Sequence, residues 1–234
     1  IKLSEIEIND NFFEIGSQVE IAFINLDQFQ PDILNSPNAF NNAVRPQGYH
    51  YDFEVVTNFF AGFISHEIEL KNNYNFFSNF RLEYLNYDYD NLMSDGRLKD
   101  DGTACARGGC FYSRPEDSEL SFKDYSYRLG LSKITSIGNI FLQFSKGHRP
   151  PQINELFRLQ KSQVLADLDS EKIDSIELAL ENKGNDFFNK LVFYYSKKKN
   201  YIFKNSDSSM VLGGKSRHKG IEIKGAKVLN NSFS

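Results

Sequence analysis

Short polar turns alternate strictly with long connections along this chain, and the segments between them alternate apolar and polar residues. The short connections are "NDN" (Asn9 to Asn11), "KNNYN" (Lys71 to Asn75), "SIGN" (Ser136 to Asn139) and "NKGND" (Asn182 to Asp186). The long ones run over about 26–48, 91–119, 148–170 and 205–214. In an up-and-down meander, that order puts every tight turn at one end of the sheet and every long loop at the other. A soluble sandwich has no reason to obey such a rule, whereas an outer-membrane barrel, with short periplasmic turns and long extracellular loops, does.

Period-two patterning supports the strands themselves. Phe13, Ile15, Val19, Ile21 and Phe23 share one parity, against Glu14, Gly16, Gln18 and Glu20 on the other. Phe80, Leu82 and Tyr84 oppose Arg81 and Glu83, and Tyr125, Tyr127, Leu129 and Leu131 oppose Asp124 and Arg128. Ile176, Leu178 and Leu180 oppose Glu177 and Glu181, and Ile221 and Ile223 oppose Gly220 and Glu222. About nine strands result, at 1–8, 12–25, 49–70, 75–90, 120–134, 139–147, 171–182, 187–204 and 215–229. The third must be one long strand despite Thr57 and Asn58 in its interior.

Composition agrees with an all-β class. The 22 Phe and 12 Tyr, with no Trp, favour pleated, half-buried surfaces. A net charge of -4, and no basic block longer than "SKKK" (Ser196 to Lys199), removes the electrostatic footprint of a nucleic-acid binder. No stretch approaches the ~18 apolar residues of a spanning helix, but a spanning strand needs only ~9–11. The chain starts at Ile1 without a leader and stops at "NNSFS" in a turn-like stretch. Nine strands is odd where a complete bacterial barrel is normally even. Both features predict part of a larger barrel. A soluble β-sandwich, with the apolar face as its core, is the alternative fold.

Four motifs in order resemble the C-terminal half of the barrel of TonB-dependent outer-membrane receptors. "FRLEYLNYDYDN" (Phe80 to Asn91) resembles the family's Gly-aliphatic-Arg-aromatic strand. "FSKGHRPPQINELF" resembles a strand end of Gly-Phe-Arg-Ala-Pro type followed by an Asn-Glu-Leu-aromatic turn, with His148 and Pro150 departing from the pattern. "LDSEKIDSIEL" supplies Glu171, Lys172 and Glu177 of the next loop and strand, and "HKGIEI" supplies Gly220 and Glu222. The resemblance covers most of Asn58 to Lys227. It implies that residues 1–234 form part of a single transmembrane β-barrel domain of 22 strands, with the plug domain and final strands lying elsewhere. It further implies a bacterial outer-membrane location surrounded by outer-membrane lipid, and uptake of a small-molecule nutrient such as a ferric siderophore. The TonB energy-coupling complex would drive that uptake through the plug. The Asn-Pro-Asn-Leu element of haem receptors is absent. A passive porin or a barrel enzyme is the alternative function.

Candidate site residues follow. Arg149, Asn154, Glu155 and Arg158, with Gln160, sit after a strand end and are placed to hydrogen-bond a ligand in the vestibule. Arginine offers planar, bidentate contacts to carboxylate or phosphate. Pro150 and Pro151 end the strand because proline donates nothing to a ladder, and "INELFRL" then forms a short helical turn. Cys105 and Cys110 are expected to form a disulfide in an oxidising exterior. So small a ring contributes about 2 kcal/mol at most, which suits a loop tip. Glu14, Glu20, Arg81, Glu83, Arg128, Glu177 and Glu222 are expected on the polar inner face, as lining or plug contacts. Gly220 within a strand points to close backbone approach or to room for a neighbouring ring. His50, His66, His148 and His218 are scattered and are not expected to bind metal; His66 shares parity with Phe60, Ile64 and Ile68, a face toward lipid or core. No nucleophile-base motif or phosphate-cradling glycine loop occurs, so no catalytic residue and no resident cofactor is expected.

Overall fold

The computed structural model describes residues 2–8, 11–160, 163–206 and 210–228. In chain order the elements are β1 (Lys2–Ile8), β2 (Asn11–Gln30), α1 (Ala39–Val44), β3 (Gly48–Leu70), β4 (Tyr74–Asn91), β5 (Tyr112–Ser113) and β6 (Ser118–Thr135). Then come β7 (Gly138–Arg149), α2 (Ile153–Leu156), β8 (Leu159–Gln160), β9 (Glu171–Lys183), β10 (Phe187–Lys204) and β11 (Met210–Lys227). Nine strands form one antiparallel sheet in the order β1-β2-β3-β4-β6-β7-β9-β10-β11. The two-residue strands β5 and β8 pair with each other inside the long connections.

The nine expected strands correspond to the nine of this meander. β3 is a single strand of 23 residues. Its polar interior costs it no pairing, since Thr57 lies between Ala22 and Tyr87 and Asn58 between Ile21 and Asn86. At ~3.3 Å per residue it runs roughly 75 Å, well beyond what a bilayer requires. One connection differs from expectation. The stretch at 205–214 is short, because β10 and β11 pair as far as Lys204 opposite Met210. The reason is apolar: Ile202 is buried, and Met210 and Leu212 pack on the same cluster, so pairing continues to bury them. Ile1, Asn9 and Asp10 of the first turn, and the stretch from residue 229 onward with its "NNSFS", lie outside the described residues.

One face of the sheet carries Val19, Ile21, Phe23, Leu82, Leu129, Phe144, Leu178, Phe193 and Ile223, all exposed. No second sheet covers it among the described residues, which overturns the sandwich alternative. Cross-strand pairs of lysine and tyrosine bracket this apolar band. Tyr74 lies opposite Lys133 at the tight-turn end, and Tyr84 opposite Lys123 at the other. Lys133 Nζ sits 4.5 Å from the Tyr74 ring centre, and Lys146 Nζ sits 3.8 Å from that of Tyr125. Ten residues of strand from Tyr74 to Tyr84, tilted by ~40°, rise ~25 Å, the height of the apolar band of a membrane barrel. His66 lies on this face near the tight turns, stacked on Phe13 at 4.4 Å.

The inner face carries glycine–aromatic pairs. Rings of Phe63, Phe77 and Tyr194 lie over Gly16, Gly130 and Gly220, so closely that a Cβ on Gly130 would come within 2.1 Å of the Phe77 ring. The glycines admit rings that cover the neighbouring backbone, as expected of Gly220. Inner-face character then changes along the strands. The half near the tight turns is polar, with Glu14, Arg81, Glu83, Arg128 and Glu177. The half near the long connections is an apolar core of Tyr51, Phe53, Val55, Tyr87 and Tyr89. A uniformly charged inner face is therefore the wrong expectation for that half.

Candidate ligand vestibule at the long-connection end

Chain 150–170 builds this end by folding inward rather than projecting away. Pro150 and Pro151 stop β7, and the Tyr87 hydroxyl donates to the Pro151 carbonyl at 3.1 Å. The backbone N–H of Gln152 donates to Glu155 Oε2 at 2.8 Å, closing the first turn of α2. Leu156 and Phe157 are then buried, with the Phe157 ring stacked on Tyr89 at 4.2 Å. The Tyr51 hydroxyl donates to the Leu159 carbonyl. β8 pairs with β5, Tyr112 opposite Gln160 and Ser113 opposite Leu159. Leu168 buries itself in the same cluster before β9 begins.

A charge network fastens both ends of this segment. Arg149 Nη1 and Nη2 donate to the two Glu155 oxygens at 3.0 and 3.1 Å, and its Nε donates to Glu171 Oε2 at 2.9 Å. Glu171 also pairs with Lys198 at 2.7 Å and accepts from the backbone N–H of Ile202 at 2.9 Å. Its side chain is 3% exposed, so the carboxylate is tolerated in the interior only through these partners. Of the four residues expected to meet a ligand, Arg149 and Glu155 are therefore engaged with each other. Asn154 and Arg158 are exposed. Arg158 Nη2 reaches across to the inner wall of β2, donating to Gln28 Oε1 at 3.0 Å. Gln160 is half-buried and its backbone N–H is held by Gln163 at 2.7 Å.

The loop 92–117 makes the second wall. Arg114 is 2% exposed and donates to the carbonyls of Ser94 at 2.7 Å, His50 at 3.1 Å and Leu98 at 2.7 Å. Burial pulls its pKa below the ordinary arginine value, yet three carbonyls hold the guanidinium as a cross-brace. Cys105 and Cys110 are joined by a disulfide. Arg97 donates to the carbonyls of Cys110 at 2.7 Å and Gly109 at 3.1 Å, tying the ring to the loop base. The exposed Asp101 carboxylate is held below the usual carboxylate range by hydrogen bonds from the Thr103 side chain and backbone. The first long connection, between β2 and β3, joins this wall where the Phe111 N–H donates to the Val44 carbonyl at 2.8 Å and Arg45 lies over the Phe111 ring at 3.9 Å.

Parity reasoning misses His148. The β6–β7 ladder stops at Tyr127 opposite Lys146, and beyond it β7 pairs only with β9. Freed from β6, the strand tip turns inward, and His148 Nε2 meets Glu83 Oε2 at 2.6 Å. Glu83 in turn accepts from Arg81, which donates to Gln18 Oε1 at 2.8 Å. Gln28, His50 and Arg114 are also invisible as site residues in the sequence, since nothing local distinguishes them. His218 Nε2 lies 2.9 Å from Ser216 Oγ. Below the core, an open recess of about 320 Å³ is bordered by Arg128, Gln143, Glu177 and Lys190. Among the described residues no cluster of His, Cys, Asp or Glu could hold a metal ion.

A family profile described as "TonB dependent receptor-like, beta-barrel" matches residues 5–234. Among solved structures, the ferric-catecholate import receptor Fiu of E. coli K12 is similar with a TM-score of 0.67 and 16% identity, over 98% of this chain and 34% of that one. The copper transporter OprC gives a TM-score of 0.68 at 10% identity, over 97% of this chain and 33% of that one. The ferric yersiniabactin uptake receptor FyuA of Yersinia pestis gives 0.62 at 12% identity, over 94% and 30%. Identities this low establish the fold alone, and the chain spans about a third of the length of these structures. No curated protein sequence matches the chain significantly.

Proposed function

This chain belongs to the TonB-dependent receptor-like β-barrel family, and from that premise we propose that it is the wall of an energised outer-membrane receptor for a scarce nutrient such as a ferric siderophore. The long-connection end faces the exterior and receives the ligand. Asn154 and Arg158 contact it, while Arg149 and Glu155 hold the segment that presents them. The polar lower half of the inner face meets a plug domain, through which the TonB complex delivers energy.

The observation that carries this reading is the folded-in segment 150–170. Its buried side chains fix it against the wall, and it leaves one amide and one guanidinium open at the mouth. A ligand bearing carboxylate, phenolate or phosphate oxygens suits a guanidinium there. Fiu and FyuA, named for ferric siderophores, favour iron chelates as the first class to test.

The test is uptake of radio-iron by cells expressing the intact protein, offered ferric catecholate and ferric phenolate siderophores in turn. The proposal predicts saturable uptake of one of them, abolished when the proton gradient is dissipated and weakened several-fold by Arg158→Ala. Uptake that is unsaturable and indifferent to the gradient would identify a passive pore instead.

A further inference from the structure

We propose that the outer face of β9, β10 and β11, just above the apolar band, is a binding surface for a phosphate-bearing lipid. The ladder register places the side chains in rows. Two rows are apolar, Leu180–Leu191–Ile223 and Leu178–Phe193–Ile221, and Ile176–Tyr195–Lys219 follows toward the long-connection end. Two residues further comes Asp174–Lys197–Arg217, and two further still Lys172–Lys199–Lys215. Lys146 of β7 lies beside Asp174. Basic residues thus stand directly opposite one another twice across β10 and β11 and once across β9 and β10.

Like charges in facing positions of a ladder destabilise it, and this patch holds little to offset them. Asp174 is the one carboxylate in these two rows, and it accepts from Lys199 at 3.3 Å. Among the described residues no ion pair is formed by Lys172, Lys197, Lys215 or Arg217. Among the described residues nothing else neutralises them, and a bound anion would. The same strands carry exposed Ile176, Leu178, Phe193 and Ile221 immediately below. A ligand covering both must join apolar chains to an anionic head, and lysine stems can lie along its chains while their ammonium groups meet phosphate.

Farther along the described sheet, on β2 to β4, the sign is opposite. On the outer face of β2, β3 and β4, Asp27 stands opposite Asp52, and Glu54 opposite Asp90. An anionic headgroup is repelled there, so the lipid is confined to the β9–β11 sector. The inference rests on the outer face lying in lipid, which follows from the barrel reading.

The experiment uses the intact protein in neutral detergent, with lipid binding followed by native mass spectrometry. Phosphatidic acid is compared with diacylglycerol of the same chains and with inorganic phosphate. The triple variant Lys172→Gln/Lys199→Gln/Lys215→Gln, the pair Lys197→Gln/Arg217→Gln and the control Asp52→Asn/Glu54→Gln are checked for folding by heat-modifiable gel mobility. Phosphatidic acid should bind the native protein at least about tenfold more tightly than diacylglycerol, and the basic-row variants should lose about that factor while the control keeps it. Equal binding of the two lipids, unchanged affinity in both basic-row variants, or displacement by equimolar inorganic phosphate would overturn the proposal. A protein that stays monodisperse without detergent would instead remove the barrel reading itself.

Discussion

The two halves of the inner face are made by the same strands and yet are different materials. Near the tight turns, polar side chains bond in the open, Arg128 Nε donating to Gln143 Oε1 at 2.6 Å and Arg81 Nη2 to Gln18 Oε1 at 2.8 Å. Near the long connections, the same parity of β3 and β4 supplies Tyr51, Phe53, Val55, Tyr87 and Tyr89, sealed under Leu156, Phe157 and Leu168. The same wall is therefore apolar outside and wet inside at one height, and charged outside with a hydrophobic core inside at another. The upper half holds a loop in place so that a few exposed residues keep a fixed geometry, which is the usual division between a scaffold and the loops it positions.

Four variants would break or sharpen that contrast. The largest effect is expected from Phe157→Ala, which removes the ring stacked on Tyr89 and leaves a cavity. Loss of a buried Phe costs about 3–5 kcal/mol, so limited proteolysis of the intact receptor should cut within 150–170 at far lower protease. Glu171→Gln comes next, at about 2–3 kcal/mol. It uncouples Arg149 and Lys198 from the segment, but both cations are partly exposed and recover some hydration. Hydrogen exchange should accelerate at α2 and at Ile202. Replacing both Cys105 and Cys110 with Ser should cost about 2 kcal/mol or less, loosening the loop tip around Arg97 without releasing Phe157, as read by exchange in 97–110 against 153–157. Smallest is Arg128→Gln in the lower half, below about 1 kcal/mol for an exposed contact. Its thermal unfolding should match the parent within a degree or two, and a large shift there would erase the distinction between the halves.

Much of this was legible in the sequence because the sheet obeys local rules. Period two located the nine strands, polar turns marked the tight ends, and "RPPQINELF" announced a strand stop followed by a helical turn. Of the two readings of Gly220, close backbone approach or room for a ring, the second holds, the ring being that of Tyr194. What was not legible depends on contacts between residues far apart in sequence. Phe53 and Tyr89 carry the parity of polar positions, and only the inward fold of a loop some 70 residues beyond Tyr89 makes them core. Arg158 finds Gln28 across 130 residues. His148 had no partner that spacing could name, since it meets Glu83, 65 residues away, only where β7 has lost β6 beyond Lys146. The short β10–β11 connection was missed for a related reason. Gly213 and Gly214 look like loop residues, but the apolar pull of Met210 and Leu212 keeps the ladder intact.

The inward fold of 150–170 at an outward-facing mouth is the centre of this account, and labelling of whole cells tests it most directly. Single Asn154→Cys and Leu156→Cys variants of the intact protein would be treated with a membrane-impermeant maleimide, Cys105 and Cys110 being held in their disulfide. The account predicts rapid labelling at 154 and little at 156, two positions two residues apart on opposite sides of α2. Equal labelling at both would contradict the packed insert, and labelling at neither in intact cells but at 154 in lysed cells would contradict the orientation.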